Sequence, residues 1–302
     1  MDLKQITISV TMLVFVVSSM LGMGLGLRVG EIVAPLRNIR LVLLSLVANF
    51  ILMPLLALGL ARLLGLEQPL AVGLLLLGTA AGAPFLPKLA QIARGNLAFS
   101  VGLMVLLMVI TVGYLPIVLP ILMPGVSVNP VKIARSLFLL MLLPLAGALA
   151  VNAKVPQVAA RVKPALDKVS NVSLMLLIGL LTLFNVKSVL AVFGTFGILA
   201  GVLFLAAGYG IGWVLGGPAS DTRPVLGLGT AQRNIAAALV VGSQSFSDPE
   251  VVVMIVVVAI VGLLTLMPLS RALSKTSSRL TLSPRPGHVD QRPKLPSLRR
   301  NV

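Results

Sequence analysis

A run of about 20 predominantly apolar residues is long enough to cross the hydrocarbon core of a bilayer as a helix, and such runs recur in this chain from Ile6 to Leu273. No other feature constrains the fold as tightly, because in lipid only helices and closed barrels satisfy their own backbone. The runs read 6–27, 41–63, 70–94, 97–123, 133–152, 170–186, 190–216, 225–246 and 251–273. They predict an all-α polytopic membrane protein of about nine transmembrane helices. The gaps between them leave no room for a large soluble domain. The expected organisation is a transmembrane unit over 1–273 and a tail over 274–302.

Composition enters through the placement of charge. The chain carries 24 Lys and Arg against 8 Asp and Glu, a formal net charge of +16, yet only 11% of its residues are charged. Eight of the basic residues follow Pro268: Arg271, Lys275, Arg279, Arg285, Arg292, Lys294, Arg299 and Arg300. Most others fall in short connections, notably 28–40 and 153–168. That is the positive-inside pattern of an inner or plasma membrane protein, bacterial by expectation, and not a nucleic-acid surface. It places the tail in the cytoplasm and Met1 outside, and no nucleic-acid partner is expected. The tail is rich in Ser, Pro, Arg and Lys, too polar to bury a core, so it reads as disordered. It either sets topology or docks on anionic headgroups. The N-terminal MDLKQ precedes an apolar run longer than a cleavable signal carries, and is read as the start of a span. There is no cysteine, and the one histidine, His288, lies in the tail. Disulfides, thiolate metal sites and Ser-His catalysis within the spans are thereby excluded. No enzyme is expected, since the spans also lack carboxylates for acid–base work.

Two spans differ from the rest. The third, GLLLLGTAAGAPFLPKLAQIARG, holds Gly82, Pro84 and Pro87 in its middle, and a continuous helix through those prolines is not expected. The eighth, VLGLGTAQRNIAAALVVGSQ, holds the polar run Thr230, Gln232, Arg233, Asn234. Both contain the tetrapeptide Leu-Gly-Thr-Ala, at 77–80 and 228–231. Interrupted spans at corresponding places in two halves are the mark of an inverted-repeat transporter with its site at the midplane. Arg233 sharpens that expectation. An arginine at the centre of a span costs about 2.5–3.5 kcal/mol on insertion scales, so something must compensate it. Two explanations stand: it hydrogen-bonds carbonyls freed where the helix breaks, or it pairs with a substrate anion.

Several stretches carry a resemblance to a known family: SSMLGMGLGLRVGEI, LVANFILMPLLALGLARLLGL, AVGLLLLGTAAGAP, ARGNLAFSV, LAAGYGIGWVLGG and LGTAQRNIAAALVV. In this order they resemble the bile acid:sodium symporter family, in its nine-span form, from about Ser18 to Leu273. The resemblance implies a panel domain, a core domain in which two broken helices cross, and movement of organic anions by alternating access, usually with sodium. Carried over residue by residue, the implied sodium ligands are largely replaced. A Ser-Asn pair falls on Leu86 and Pro87, a threonine on Met104 and the shared glutamate on Leu228, or on Gly229 in a register shifted by one. The serine is kept as Ser100, a glutamine is matched by Gln232, another is replaced by Asn49, and Arg233 follows Gln232. All eight acids, Asp2, Glu31, Glu67, Asp167, Asp221, Asp248, Glu250 and Asp290, map to loops or span ends. A hard cation wants oxygen ligands with negative charge. No cofactor is therefore expected, and sodium coupling is not expected from the remnant Ser100 and Gln232.

The chain accordingly reads as a secondary active transporter of a small organic anion, with Arg233, Gln232, Asn234, Thr230 and Asn49 as candidate substrate-binding residues. Lys88 either lines the same cavity or marks the cytoplasmic boundary. The alternative from another class is a non-transporting membrane sensor or assembly partner that kept the fold.

Overall fold

The computed structural model describes residues 3–33, 37–123, 129–184 and 195–282, and among them there are helices and no strand. The helices are α1 (Leu3–Leu25), α2 (Val29–Val33), α3 (Ile39–Val47), α4 (Met53–Leu63), α5 (Gln68–Thr79), α6 (Leu86–Ile92) and α7 (Leu97–Leu122). They continue as α8 (Pro130–Leu137), α9 (Leu143–Lys154), α10 (Pro156–Phe184), α11 (Gly197–Leu215), α12 (Thr222–Ala231), α13 (Ile235–Ser245) and α14 (Pro249–Leu282). Eight helical stretches among the described residues are long and apolar enough to cross a membrane. The third expected span supplies a further crossing as two short helices, α5 and α6. The protein is a polytopic helical membrane protein, as its apolar runs predict.

Two boundaries move. The sixth span does not start at 170, because α10 begins at Pro156, and the expected 153–168 loop is almost wholly helix. Proline at the first helical position is a start signal, and the following Gln, Ala, Arg, Lys and Leu favour helix despite Pro164. Asp167 therefore sits within a helix, paired with Lys163 one turn earlier. The last helix runs on to Leu282, past the expected limit at 273. Residues 283–302, most of the expected tail, lie outside the described residues, as does 185–194 at the expected start of the seventh span.

Two spans contain π-helical turns, Ala48–Leu52 between α3 and α4 and Phe138–Leu142 between α8 and α9. Each precedes a proline by the same spacing, Pro54 and Pro144. A proline has no N–H for the carbonyl four residues back, which here is Phe50 or Leu140. The ladder slips to the wider bond, Met53 N–H to Ala48 O and Leu143 N–H to Phe138 O.

Helices α1, α9 and α10 pack as one bundle, the panel that the resemblance implies. The glycines of the GMGLG stretch set its spacing. A Cβ at Gly22 would lie 2.5 Å from Asp167 Oδ1, and one at Gly24 would lie 2.6 Å from Leu145 O. Helices α4, α5, α11, α12, α13 and α14 pack as the core. The eighth span, α12 with α13, is 94% buried over its most apolar window, against 22% for α10. It is wrapped by protein, which explains how lipid tolerates its polar run.

Candidate functional site

The first broken span opens between Thr79 and Leu86. Gly82 there has φ +79°, and a Cβ on it would lie 2.3 Å from Met108 N, so both backbone and space require glycine. Pro87 does not kink a helix. It stands in the first turn of α6, where a missing N–H costs nothing. Thr111 of α7 braces the break: its Oγ1 accepts from Ala81 N–H at 3.0 Å and donates to Ala81 O at 3.1 Å.

The second broken span opens over Gln232–Asn234. Asn234 caps α13, its Oδ1 accepting from Ala237 N–H at 3.1 Å. The same residue reaches the first break twice, from its backbone N–H to Ala80 O at 3.0 Å and from Nδ2 to Gly82 O at 3.1 Å. The two breaks thus cross in contact. At one end the spans are tied again, Asn96 capping α7 while donating through Nδ2 to Asp221 Oδ2 at 2.9 Å.

Arg233 lies at the crossing, 3% exposed. Its Nε donates to Leu77 O at 2.8 Å and Nη2 to Gly78 O at 2.8 Å. Nη1 donates to Asn49 Oδ1 at 2.7 Å and to Thr230 O at 3.1 Å. The three carbonyls belong to the last turns of α5 and α12, where carbonyls lack helical partners and the dipole end is negative. The repeated Leu-Gly-Thr-Ala is the last turn of the first half of each broken span. Of the two explanations open from sequence, the structure places the guanidinium on freed carbonyls.

Asn49 reaches the crossing from the π turn, a device common at functional sites. Its Nδ2 donates to Ser45 O at 3.0 Å and to Thr230 Oγ1 at 3.3 Å, while Oδ1 serves Arg233. The Phe50 carbonyl that Pro54 leaves free accepts from the Tyr114 hydroxyl, and the two rings lie 4.8 Å apart. Asn49, Thr230 and Asn234 are fully buried.

Sequence reasoning gathered Asn49, Thr230, Gln232, Arg233 and Asn234, and the structure brings them together, but with different duties. Asn49, Thr230, Arg233 and Asn234 spend their polar groups on one another and on backbone. Gln232 does not: its side-chain amide has no protein hydrogen bond among the described residues, and it lines a narrow cleft with Leu77, Leu205, Val258, Gly262 and an edge of Arg233. Lys88 is exposed in the first turn of α6 and is not part of that lining. Ser100 is buried, and its hydroxyl donates to Leu97 O within its own helix at 2.6 Å, with no bond to the crossing. Leu86, Met104 and Leu228, where the resemblance places sodium ligands, are buried hydrocarbon. No group of three or more His, Cys, Asp or Glu able to hold a metal occurs among the described residues. Thr111 and Tyr114 escaped the sequence reading. Each sits in an uninterrupted apolar run whose only signal is an isolated hydroxyl.

No curated protein matches the chain. The profile of the sodium bile acid symporter family matches residues 11–192, more than half of the chain, and ends before α12. With the panel, the core and the crossing of two broken spans in place, that match settles the family: the chain belongs to the sodium bile acid symporter family.

Proposed function

We infer that the protein moves a small organic anion across the membrane as a secondary active transporter, by alternating access of the crossing region. One observation carries the reading: two interrupted spans meet at a buried polar crossing inside a family of membrane transporters. The anionic class follows from charge. Arg233 has no acid among its partners; the neutral oxygens around it solvate the guanidinium without cancelling its formal charge, so the crossing keeps a net positive sign, and a low-dielectric site of one sign attracts the other. Gln232, whose amide is free, is assigned to substrate contact, and Arg233 acts on the substrate through its field. Helix α8, which leads through the π turn into α9 of the panel, meets α13 of the core through breakable polar bonds, Lys132 Nζ to Gln244 O at 2.9 Å and Ser136 to the Gln244 side chain. Such contacts suit two bodies that part and close again.

Flux of organic acids into proteoliposomes, driven in turn by sodium, potassium and pH gradients, tests the reading. Uptake of at least one acid is expected, together with loss of most of that uptake in Gln232→Leu at unchanged unfolding temperature. If no organic acid moves under any gradient, the transport reading is wrong. The orientation assigned is Met1 outside and the C-terminal segment in the cytoplasm, from the Lys and Arg bias. The chain has no cysteine, so Ser188→Cys and Ser278→Cys can be labelled singly. An impermeant thiol reagent should reach only the first in intact cells, and the reverse result inverts the topology.

A further inference from the structure

We propose that Arg233 is a tethered counter-cation: its guanidinium permanently fills an all-oxygen cage between the ends of two half-helices, a place that would otherwise need a dissociable cation. The inference concerns how the crossing is held and does not rest on which solute moves.

The cage consists of Leu77 O, Gly78 O, Thr230 O and Asn49 Oδ1, all 2.7–3.1 Å from guanidinium nitrogens. Its members come from three spans. Without a cation between them, the negative ends of α5 and α12 would face each other in a buried site, where their repulsion is poorly screened. Neutral oxygens at a helix end are donors that a hard cation accepts. A guanidinium carried on the same chain does the same work without dissociating, and its planar fork matches several carbonyls at once. This compensates the burial of a charge that no carboxylate relieves.

Sodium does not fit the remaining residues. Leu228 and Met104 are fully buried, and a Cβ on Gly229 would lie 2.9 Å from Leu86 Cδ2 and 3.5 Å from Leu103 Cδ2. Packed hydrocarbon thus occupies the neighbourhood from which the resemblance would draw the other ligands. The cation of this crossing is covalent, so no ion is loaded or released there during a transport cycle. The crossing also stays clasped while the panel and core move.

The test uses the full chain in detergent and reads unfolding temperature, not flux, so its failure and that of the transport reading are separable. Wild type should unfold at the same temperature in sodium, potassium and choline chloride of equal ionic strength. Arg233→Ala should unfold several degrees lower. Millimolar guanidinium should restore part of the difference, because a ligand that binds only the folded state stabilises it with concentration. Tetramethylammonium, too large and without N–H donors, should not. Specific stabilisation of wild type by sodium overturns the proposal, as does an Arg233→Ala protein that is as stable as wild type or deaf to guanidinium. Should Arg233→Ala fail to fold, Arg233→Lys and the wild-type salt series decide. Lysine keeps a point charge but cannot span four oxygens, so it must unfold below wild type and gain nothing from sodium. An Arg233→Lys protein matching wild type overturns the clasp.

Discussion

In the first broken span the chain leaves helix over 80–85, whereas in the second it does so over only 232–234. The first break is made by backbone: a glycine at positive φ, Pro84, and a hydroxyl borrowed from α7. The second is made by side chains, since Arg233 and Asn234 reach out and donate to carbonyls at 77, 78 and 82. The relation between the two is therefore one-sided. The first break offers acceptors and the second supplies donors. Damage to the second should strip partners from both, while damage to the first should stay local.

The largest effect should come from Arg233→Gln. It leaves several buried acceptors without a donor, each worth about 1–3 kcal/mol and not additive. The expected result is the deepest fall in unfolding temperature of any single change at the crossing, while substrate affinity of the folded fraction survives at reduced strength. If Arg233→Gln folds as stably as wild type and loses only affinity, the anion is its true partner and the one-sided relation fails. Next is Asn234→Leu, which removes the α13 cap and the bond to Gly82 O. We expect a loss of about 2–3 kcal/mol. Asn234→Ser, able to cap but too short to reach Gly82, should recover about 1 kcal/mol of it by thermal or denaturant unfolding. Full recovery in Asn234→Ser would show that the cross-break bond contributes nothing, and equal losses in the two variants would show the same of the cap.

On the acceptor side, Thr111→Val keeps the shape but unpairs the N–H and C=O of Ala81. A loss of about 1–3 kcal/mol is expected, with the Asn234 and Arg233 contacts intact. Hydrogen exchange provides the sharper reading. Protection should fall at 80–85 and hold at 235–245. Matching losses at both breaks would mean that they open as one unit.

These contrasts show what the sequence could and could not reveal. The position of both breaks was legible, because glycine, proline and a polar run are local signals. Pro87 was legible only in part: it looks like a helix breaker but begins α6, and the interruption lies ahead of it. The five polar residues at the crossing were legible as a group. Their division of labour was not, because the carbonyls of Leu77 and Gly78 that meet Arg233 lie more than 150 positions away. Thr111 and Tyr114 leave no local signal, each a hydroxyl in an apolar helix whose partner lies 30 or 64 positions away. The early start of α10 is only faintly written in the sequence, because Lys, Arg and Asp suit a cytoplasmic loop as well as a helix, although Lys163 and Asp167 stand at helical spacing.

The smallest effect belongs to the π turn that aims Asn49, and it tests whether Pro54 causes that turn. Tyr114→Phe removes the one side-chain donor to Phe50 O, while the ring contact remains, so it should cost about 0.5–1.5 kcal/mol. Pro54→Ala supplies the N–H that an ordinary helix would send to the same carbonyl, four residues back. With that donor present the tyrosine hydroxyl becomes partly redundant. Removing it from the Pro54→Ala protein should then cost less than removing it from wild type, a coupling of roughly 0.5 kcal/mol or more. If the turn closes to regular helix, Asn49 also swings away from Arg233, since one residue of slip turns a side chain by about 100°. Pro54→Ala should then lose part of the stability that the Asn49–Arg233 bond contributes, and Asn49→Ala should become milder in its background. Strict additivity of all three substitutions would separate the proline from the turn, leaving the π segment to be explained by packing alone.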